Sequence, residues 1–342
     1  MYNTRHTYTL LKFHKVQREA HRTDNKTQTK IQSAPYCHNF SNEMTVLRDS
    51  CHDTYMSSQT KIVHWFRRNA RDLPWRHPGV SPWNILVSEI MLQQTQASRV
   101  AVQWTEWVER WPTVHDVAAA KPADILRMWN RLGYPSRALR LHEAAQIIVR
   151  DFHGNVPTDE ETLLQLPGVG HYTAAAVCAF AFQHPTVMLD TNVRRVIGRI
   201  WSGQARPPLA VSAIEREFAK SLIPKRQPNS WLWAGAVMEF GALVCTATKP
   251  ACSDCIVRSE CTWRLAGYPE STVKPKSKKF AGSDRQVRGR IMKILRESKS
   301  SMPRTAFADV CTDKRQRDRA LAALIDDGLV EVTKSGRYRL PN

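Results

Sequence analysis

The stretch LPGVGHYTAAAV, Leu166 to Val177, sets two glycines around a valine directly ahead of an alanine-rich run. Glycine enters the left-handed region at little cost, and a Gly-x-Gly turn before a helix leaves backbone N–H groups free to face an anion at the helix N-terminus. A tight reversal between two helices needs glycines for steric reasons too, so the turn alone is open to a packing role and to an anion-gripping one. Upstream, TDEETLLQL reads as an amphipathic helix with Thr158 or Asp159 as its cap. The predicted unit is therefore helix, PGVG turn, helix, with Ala174, Ala175 and Ala176 small enough to let the two helices pack closely.

Working outward, the chain has 342 residues and a formal net charge of +19. That excess points to a polyanionic partner, nucleic acid before a membrane surface. No apolar run approaches the roughly 18 residues of a membrane span, and the first thirty residues lack the apolar core of a signal peptide. The expectation is a cytoplasmic protein, nucleoid-associated if bacterial, with no membrane partner and with reduced thiols. Eight cysteines then do not form a disulfide set, and four of them crowd into seventeen positions.

Residues 1–56 are polar, basic and aperiodic, as in HRTDNKTQTKIQSAP, and predict a disordered tail, which an over-called translation start upstream of Met44 or Met56 would explain. From 57 to 268 the pattern is helical almost throughout, with amphipathic runs such as SEIMLQQTQASRVAVQWTEWVERW and short breaks at HGNVP, LPGVG and QHPTVMLD. The Lys/Ser/Pro-rich segment 269–284 predicts a linker. In 285–342 three helical segments precede LVEVTKSGRYRL, which alternates like a hairpin turned at Lys334-Ser335-Gly336. That is the order of a winged helix, although a small helical cap without a ligand has the same pattern. The fold class expected is all-α with a small C-terminal α+β domain.

Cys245, Cys252, Cys255 and Cys261 are spaced C-x6-C-x2-C-x5-C, and four thiolates on a short loop hold a soft metal centre. The x2 pair is like a zinc knuckle, while the x6 and x5 arms do not match regular zinc-finger spacing, so zinc and iron–sulfur both stand on spacing alone. Cys178 and Cys311 read as ordinary packed or free thiols.

LPGVGHYTAAAV with its upstream helix forms a helix-hairpin-helix, which grips a DNA strand through backbone amides without reading its sequence. VMLDTNVRRVIGRIW follows it, then the cysteine loop. With these in order, residues 61–265 resemble the helix-hairpin-helix glycine-proline-aspartate superfamily of base-excision DNA glycosylases. Within it, SEIMLQQTQ and LGYPSR are similar to the adenine DNA glycosylases of the MutY type. The resemblance implies a six-helix barrel over about 85–189, a cluster domain over about 57–84 and 190–268, and one [4Fe-4S] cluster on the four cysteines. It also implies Gly168, Val169 and Gly170 as the DNA-strand clamp.

Breaking a nucleoside C1′–N9 bond through an oxocarbenium-like transition state needs an acid for the leaving base and a carboxylate for the developing cation. By resemblance Glu89 is the acid that protonates adenine N7, framed by Ile90, Met91 and Leu92, where burial would favour its protonated form. Asp190 is both the cap of the DTNVRRVIGRI helix and, by resemblance, the carboxylate facing the sugar. Tyr172 and Asn192 match positions near the sugar. Bifunctional relatives carry a Schiff-base lysine where this chain has Tyr172, which implies a monofunctional hydrolase without efficient lyase activity. Gln94 and Thr95 match residues that insert at the lesion, Leu132 and Tyr134 those that wedge beside the guanine opposite the adenine, and Gln93 is a further pocket candidate.

The expected substrate is double-stranded DNA with adenine mispaired with 8-oxoguanine or guanine, bound by a monomer. The sequence departs from the family in its C-terminus, which looks like a winged helix and not like the nucleotide-hydrolase-like domain that reads oxidised guanine. Arg315, Arg317 and Arg319 form a possible phosphate-contacting face there, as Arg258 and Lys249 do beside the cysteine loop. Three other readings stand at this point: a glycosylase for thymine or uracil opposite guanine, a non-catalytic DNA-binding redox protein, and a zinc-containing winged-helix regulator.

Overall fold

A computed structural model describes residues 57–271 and 280–342. The tail assigned to 1–56 and residues 272–279, half of the predicted linker, lie outside the described residues. In chain order the helices are α1 (Ser58–Asn69), α2 (Pro82–Leu92), α3 (Ala97–Arg110), α4 (Val114–Ala119), α5 (Pro122–Trp129), α6 (Ser136–Phe152), α7 (Glu160–Leu163), α8 (His171–Phe182), α9 (Thr191–Ser202), α10 (Ala213–Ser221), α11 (Asn229–Leu243) and α12 (Thr262–Leu265). Their starts follow local chemistry. Ser57, Ser81, Asp159, Asp190 and Ser212 each accept a backbone N–H in the first turn, and Thr113 and Asp116 close a capping box on α4.

These helices bury two apolar cores. One gathers Leu86, Ile90, Trp107, Leu126, Trp129, Leu141 and Ile148 from α2, α3, α5 and α6, with Leu163, Leu166 and Val177 around the hairpin. Trp107 meets Trp111 and Trp129 edge-on, the arrangement that aromatic quadrupoles favour. The other core joins α1, α9, α10 and α11 through Ile62, Val196, Ile200, Ala219, Trp233 and Phe240. Between them runs a thin seam of Ala175, Ala176, Ala179, Met188 and Ala234, flanked by Tyr172 and Met238.

The seam revises the expected role of the alanines. Ala175, Ala176 and Ala179 face α11 and not the short partner helix of the hairpin, so they set how closely the two cores approach each other. α8 is apolar around most of its circumference, as a helix buried on all sides must be.

The C-terminal domain comprises α13 (Asp284–Glu297), α14 (Lys314–Asp326) and the antiparallel strands β1 (Glu331–Val332) and β2 (Tyr338–Arg339), paired Glu331 to Arg339 and Val332 to Tyr338. Met302 adds a bridge to Tyr338, so three short extended segments meet. The predicted middle helix is a 3-10 segment, Arg304–Val310, between Pro303 and Cys311, both extended. The core of this domain, with Val287, Ile291, Leu295, Phe307 and Leu324, is continuous with the first core, and α13 packs on α5. Two of the three arginines expected to form a basic face are engaged within the domain. Arg317 donates to Ala308 O and Cys311 O, and Arg319 to Asp284.

Candidate active site

Glu89 projects from α2 toward the seam and is 2% exposed, which removes the reading of a surface glutamate. Its Oε2 is buried and has no hydrogen-bond partner among the described residues. Burial pushes the carboxyl up to about 7; Arg76 and the Tyr172 hydroxyl pull it down, and Asp190 pushes it further up. A glutamate at about 7 holds its proton for a fair fraction of the time at neutral pH, which a general acid requires.

Asp190 faces the same seam from the start of α9. Its Oδ1 accepts from Val193 N–H at 2.6 Å and its Oδ2 from Asn192 Nδ2 at 2.9 Å. Burial raises its carboxyl, and these donors oppose that by holding the negative charge. Asn192 is oriented in turn by Arg195, whose Nη2 donates to Asn192 Oδ1 at 2.8 Å and to Gly241 O at 2.6 Å. Gly241 lets α11 come this close, because a Cβ there would lie 2.9 Å from both Asn192 Cβ and Asn192 O. Tyr172, on α8, lies within electrostatic reach of both carboxyls. Its hydroxyl donates to Met238 Sδ at 3.3 Å, and burial and then the charges of Glu89 and Asp190 raise it well above its ordinary value.

At the hairpin, Gly168 has φ +82°, and a Cβ on it would lie 3.2 Å from Arg140 Cβ, so both conformation and space demand glycine. Val169 N–H is consumed inside the turn by Leu166 O at 3.1 Å, and the Val169 side chain is buried. Among the described residues, Gly168 N–H and Gly170 N–H find no acceptor. Gly170 caps α8 without a side chain, so the first turn of this twelve-residue helix also presents N–H groups outward.

Two loops flank the seam. In the first, Gln94 is exposed at φ +54°, and Gln93 turns inward, donating from Nε2 to Gly168 O at 3.1 Å and Thr173 Oγ1 at 3.2 Å. In the second, Gly133 and Tyr134 both have positive φ. Tyr134 is 40% exposed, whereas Leu132 is 4% exposed and packs in the first core. Leu132, expected beside Tyr134 as a wedge, is packed among the helices here, where an apolar side chain gains by burial.

Cys245, Cys252, Cys255 and Cys261 are unpaired thiols that line one hollow with Ile200, Phe240, Val244 and Trp263. α9 anchors this loop. Arg199 donates to Thr246 O at 2.8 Å and Ala247 O at 3.2 Å and lies 4.3 Å from the Trp263 ring, and Arg195 donates to Cys245 O at 2.8 Å.

Residues 87–222 match the model of the HhH-GPD superfamily base excision DNA repair proteins. The adenine DNA glycosylase of Mycolicibacterium smegmatis is 48% identical over 284 residues, covering 83% of this chain and 96% of that protein. The chain belongs to the adenine DNA glycosylase family. A thermostable thymine-DNA glycosylase superposes with a TM-score of 0.55 at 28% identity, over 65% of this chain and 99% of its own. An endonuclease III trapped on DNA shares the fold, with a TM-score of 0.53 at 23% identity over 62% and 95%. Family membership makes the protein a DNA N-glycosylase of base excision repair. Among the described residues no helix is long and apolar enough to cross a membrane.

Two groups in this adenine DNA glycosylase relative escaped the sequence reading. Arg137 is buried on α6 and donates to Ile90 O, Met91 O and Gln93 O at the end of α2, and to Leu132 O and Gly133 O in the second loop. It caps the C-terminal end of α2 and ties both flanking loops to it; burial lowers its guanidinium to about 10, still a cation at neutral pH. Glu239, fully buried on α11, accepts from Arg71 at 2.7 and 2.8 Å and from Arg76 at 3.0 Å. Only the LGYPSR match touched Arg137, and nothing in the sequence joins Glu239 to arginines more than 160 residues away.

Proposed function

We propose that the protein is a monofunctional glycosylase that hydrolyses the N-glycosidic bond of adenine mispaired with 8-oxoguanine or guanine in duplex DNA, acting as a monomer. The observation that carries this reading is the buried Glu89 carboxyl, its Oε2 without a partner among the described residues, beside Tyr172 and within electrostatic reach of Asp190. The protonated Glu89 gives its proton to N7 of the flipped adenine while the C1′–N9 bond breaks, and the bonding pair leaves with the base. Asp190, with its charge held by Val193 N–H and Asn192, faces the oxocarbenium left on the sugar. Water adds to C1′ and its surplus proton returns to Glu89, which regenerates the acid and leaves an abasic site. Tyr172 offers a phenol and no amine, so no Schiff base forms at that position.

The free N–H groups of Gly168, Gly170 and the α8 start support their assignment to a phosphate of the strand being flipped. Gln94, Thr95 and Tyr134 line the loops facing the lesion. The four cysteines suit one [4Fe-4S] cluster. The four thiols border one hollow, and their C-x6-C-x2-C-x5-C spacing departs from regular zinc-finger spacing, which supports a cluster over a single zinc. When bound, such a cluster crosslinks the loop and takes up the charge of thiolates that burial otherwise keeps protonated, as at Cys255, pushed up to about 11.

Single-turnover base release from duplexes holding A opposite 8-oxoguanine, A opposite G, and T or U opposite G tests the assignment. Adenine release without strand cleavage is expected. Release of thymine or uracil alone would transfer the chain to the mismatch activity named for its thymine-DNA glycosylase neighbour.

A further inference from the structure

The backbone of the second loop is fixed by the first core. Arg137 holds Leu132 O and Gly133 O, and Trp129 Nε1 donates to Gly133 O at 3.0 Å. The side chain of Tyr134 is held from elsewhere. Its hydroxyl accepts from Arg285 Nη1 at 2.7 Å, the only side-chain hydrogen bond it makes among the described residues, and Arg285 belongs to α13 in the C-terminal domain. The Arg285 guanidinium also lies 5.7 Å from the Tyr134 ring centroid and 4.8 Å from that of Phe280, and Arg137 lies 5.8 Å from the same tyrosine.

Arg285 is exposed and has no carboxylate partner among the described residues, unlike Arg288 on the same helix, which pairs with Asp327. A single exposed contact of this kind adds little to folding stability. Its consequence is directional: the contact biases an exposed tyrosine on a positive-φ loop toward one orientation before any duplex arrives, and a cation stands beside it. Because α13 packs on α5, which leads into the Tyr134 loop, the contact is made on a shared core and not by a loosely tethered module.

We propose that Arg285 is a positioning residue for Tyr134, through which the C-terminal domain sets the preference for the base opposite the excised adenine. The inference rests on the reading of Tyr134 as the residue that meets that base. Pre-orienting a rotor at an interface raises affinity by sparing its ordering on binding. The benefit falls on the duplex whose opposite base the fixed ring fits.

The test is the ratio of single-turnover adenine release from A opposite 8-oxoguanine to that from A opposite guanine, measured at subsaturating enzyme. A ratio within one protein cancels losses of active fraction. Wild type is compared with Arg285→Ala, Arg285→Lys, Tyr134→Phe, the Arg285→Ala/Tyr134→Phe double variant, and Arg288→Ala as a same-helix control. The expected result is that Arg285→Ala and Tyr134→Phe each lower the ratio by about fivefold, in line with one immobilised side chain. The double variant should lose no more than either alone, Arg285→Lys should fall in between, and Arg288→Ala should match wild type. A wild-type ratio near one, an unchanged ratio in Arg285→Ala, additive losses in the double variant, or an equal loss in Arg288→Ala would overturn the proposal. Failure of wild type to release adenine from either duplex would overturn the underlying reading itself, and the proposal with it.

Discussion

Glu89 and Glu239 lie on helices that both pack on α8, are both buried, and occupy opposite electrostatic states. Burial pushes Glu89 up to about 7, because its Oε2 has no partner and Arg76 and Tyr172 offset only part of the desolvation. Burial acts upward on Glu239 too, but the Arg71 and Arg76 side chains and Arg71 N–H outweigh it and bring the group to about 2. Arg76 touches one and influences both. The lesson is that partners, more than burial, decide which buried carboxylate can give up a proton. A satisfied one holds the structure, and an unsatisfied one is reserved for a substrate.

The largest expected effect is on catalysis at the unsatisfied member. Glu89→Gln keeps the shape and removes the proton donor, so single-turnover adenine release should fall by about 10²–10⁴-fold, the range for general acid catalysis. A variant within tenfold of wild type would break the contrast. Asp190→Asn separates the two roles of the α9 cap. Asparagine still caps a helix, so the melting temperature should change little, while base release falls by about 10²–10³-fold as charge stabilisation is lost. Loss of fold with no specific loss of rate would reduce Asp190 to a cap.

At the satisfied member the effect moves to stability. Glu239→Gln leaves Arg71 and Arg76 facing a neutral amide and should cost about 3–5 kcal/mol in chemical denaturation. A cost below about 1 kcal/mol would mean that solvent screens the pair. The pH dependence sharpens the comparison, because the two groups have opposite signs. Glu89 is raised above its ordinary 4.5, so its contribution is fully present below that pH and is lost as pH rises toward 7. Glu239 is lowered, so its contribution is present above 4.5 and is lost as pH falls toward 2. Each is worth about 3 kcal/mol across its window. In melting curves against pH, Glu89→Gln should flatten the neutral side only and Glu239→Gln the acid side only. A smaller effect is expected from Gly168→Ala at the hairpin, about 1–2 kcal/mol from the positive φ and the close Arg140 contact.

Much of this architecture was legible in the sequence. Helical periodicity gave the helices, the PGVG turn fell where two helices reverse, and the DTNVRR segment begins a helix at Asp190 as its cap chemistry implies. What escaped reading depends on the third dimension. Glu239 looks like one polar residue in an apolar helix until the fold brings Arg71 and Arg76 against it. Leu132 and Tyr134 are two residues apart and reach opposite environments, because the positive φ values at Gly133 and Tyr134 reverse the chain between core and surface. Periodicity reports which face of a regular element is apolar and is silent about such kinks. The Arg285 contact with Tyr134 spans 151 residues and two domains, beyond any local pattern.

With Glu89 proposed as the acid, its environment sets the acid's working range. The most direct measurement is the single-turnover rate of adenine release, from A opposite 8-oxoguanine, by wild type between pH 5.5 and 9. The rate should be nearly level below about 7 and fall toward tenfold per pH unit above it, tracking loss of the Glu89 proton. A rate that stays level through pH 9, or that declines only below pH 5, would contradict it.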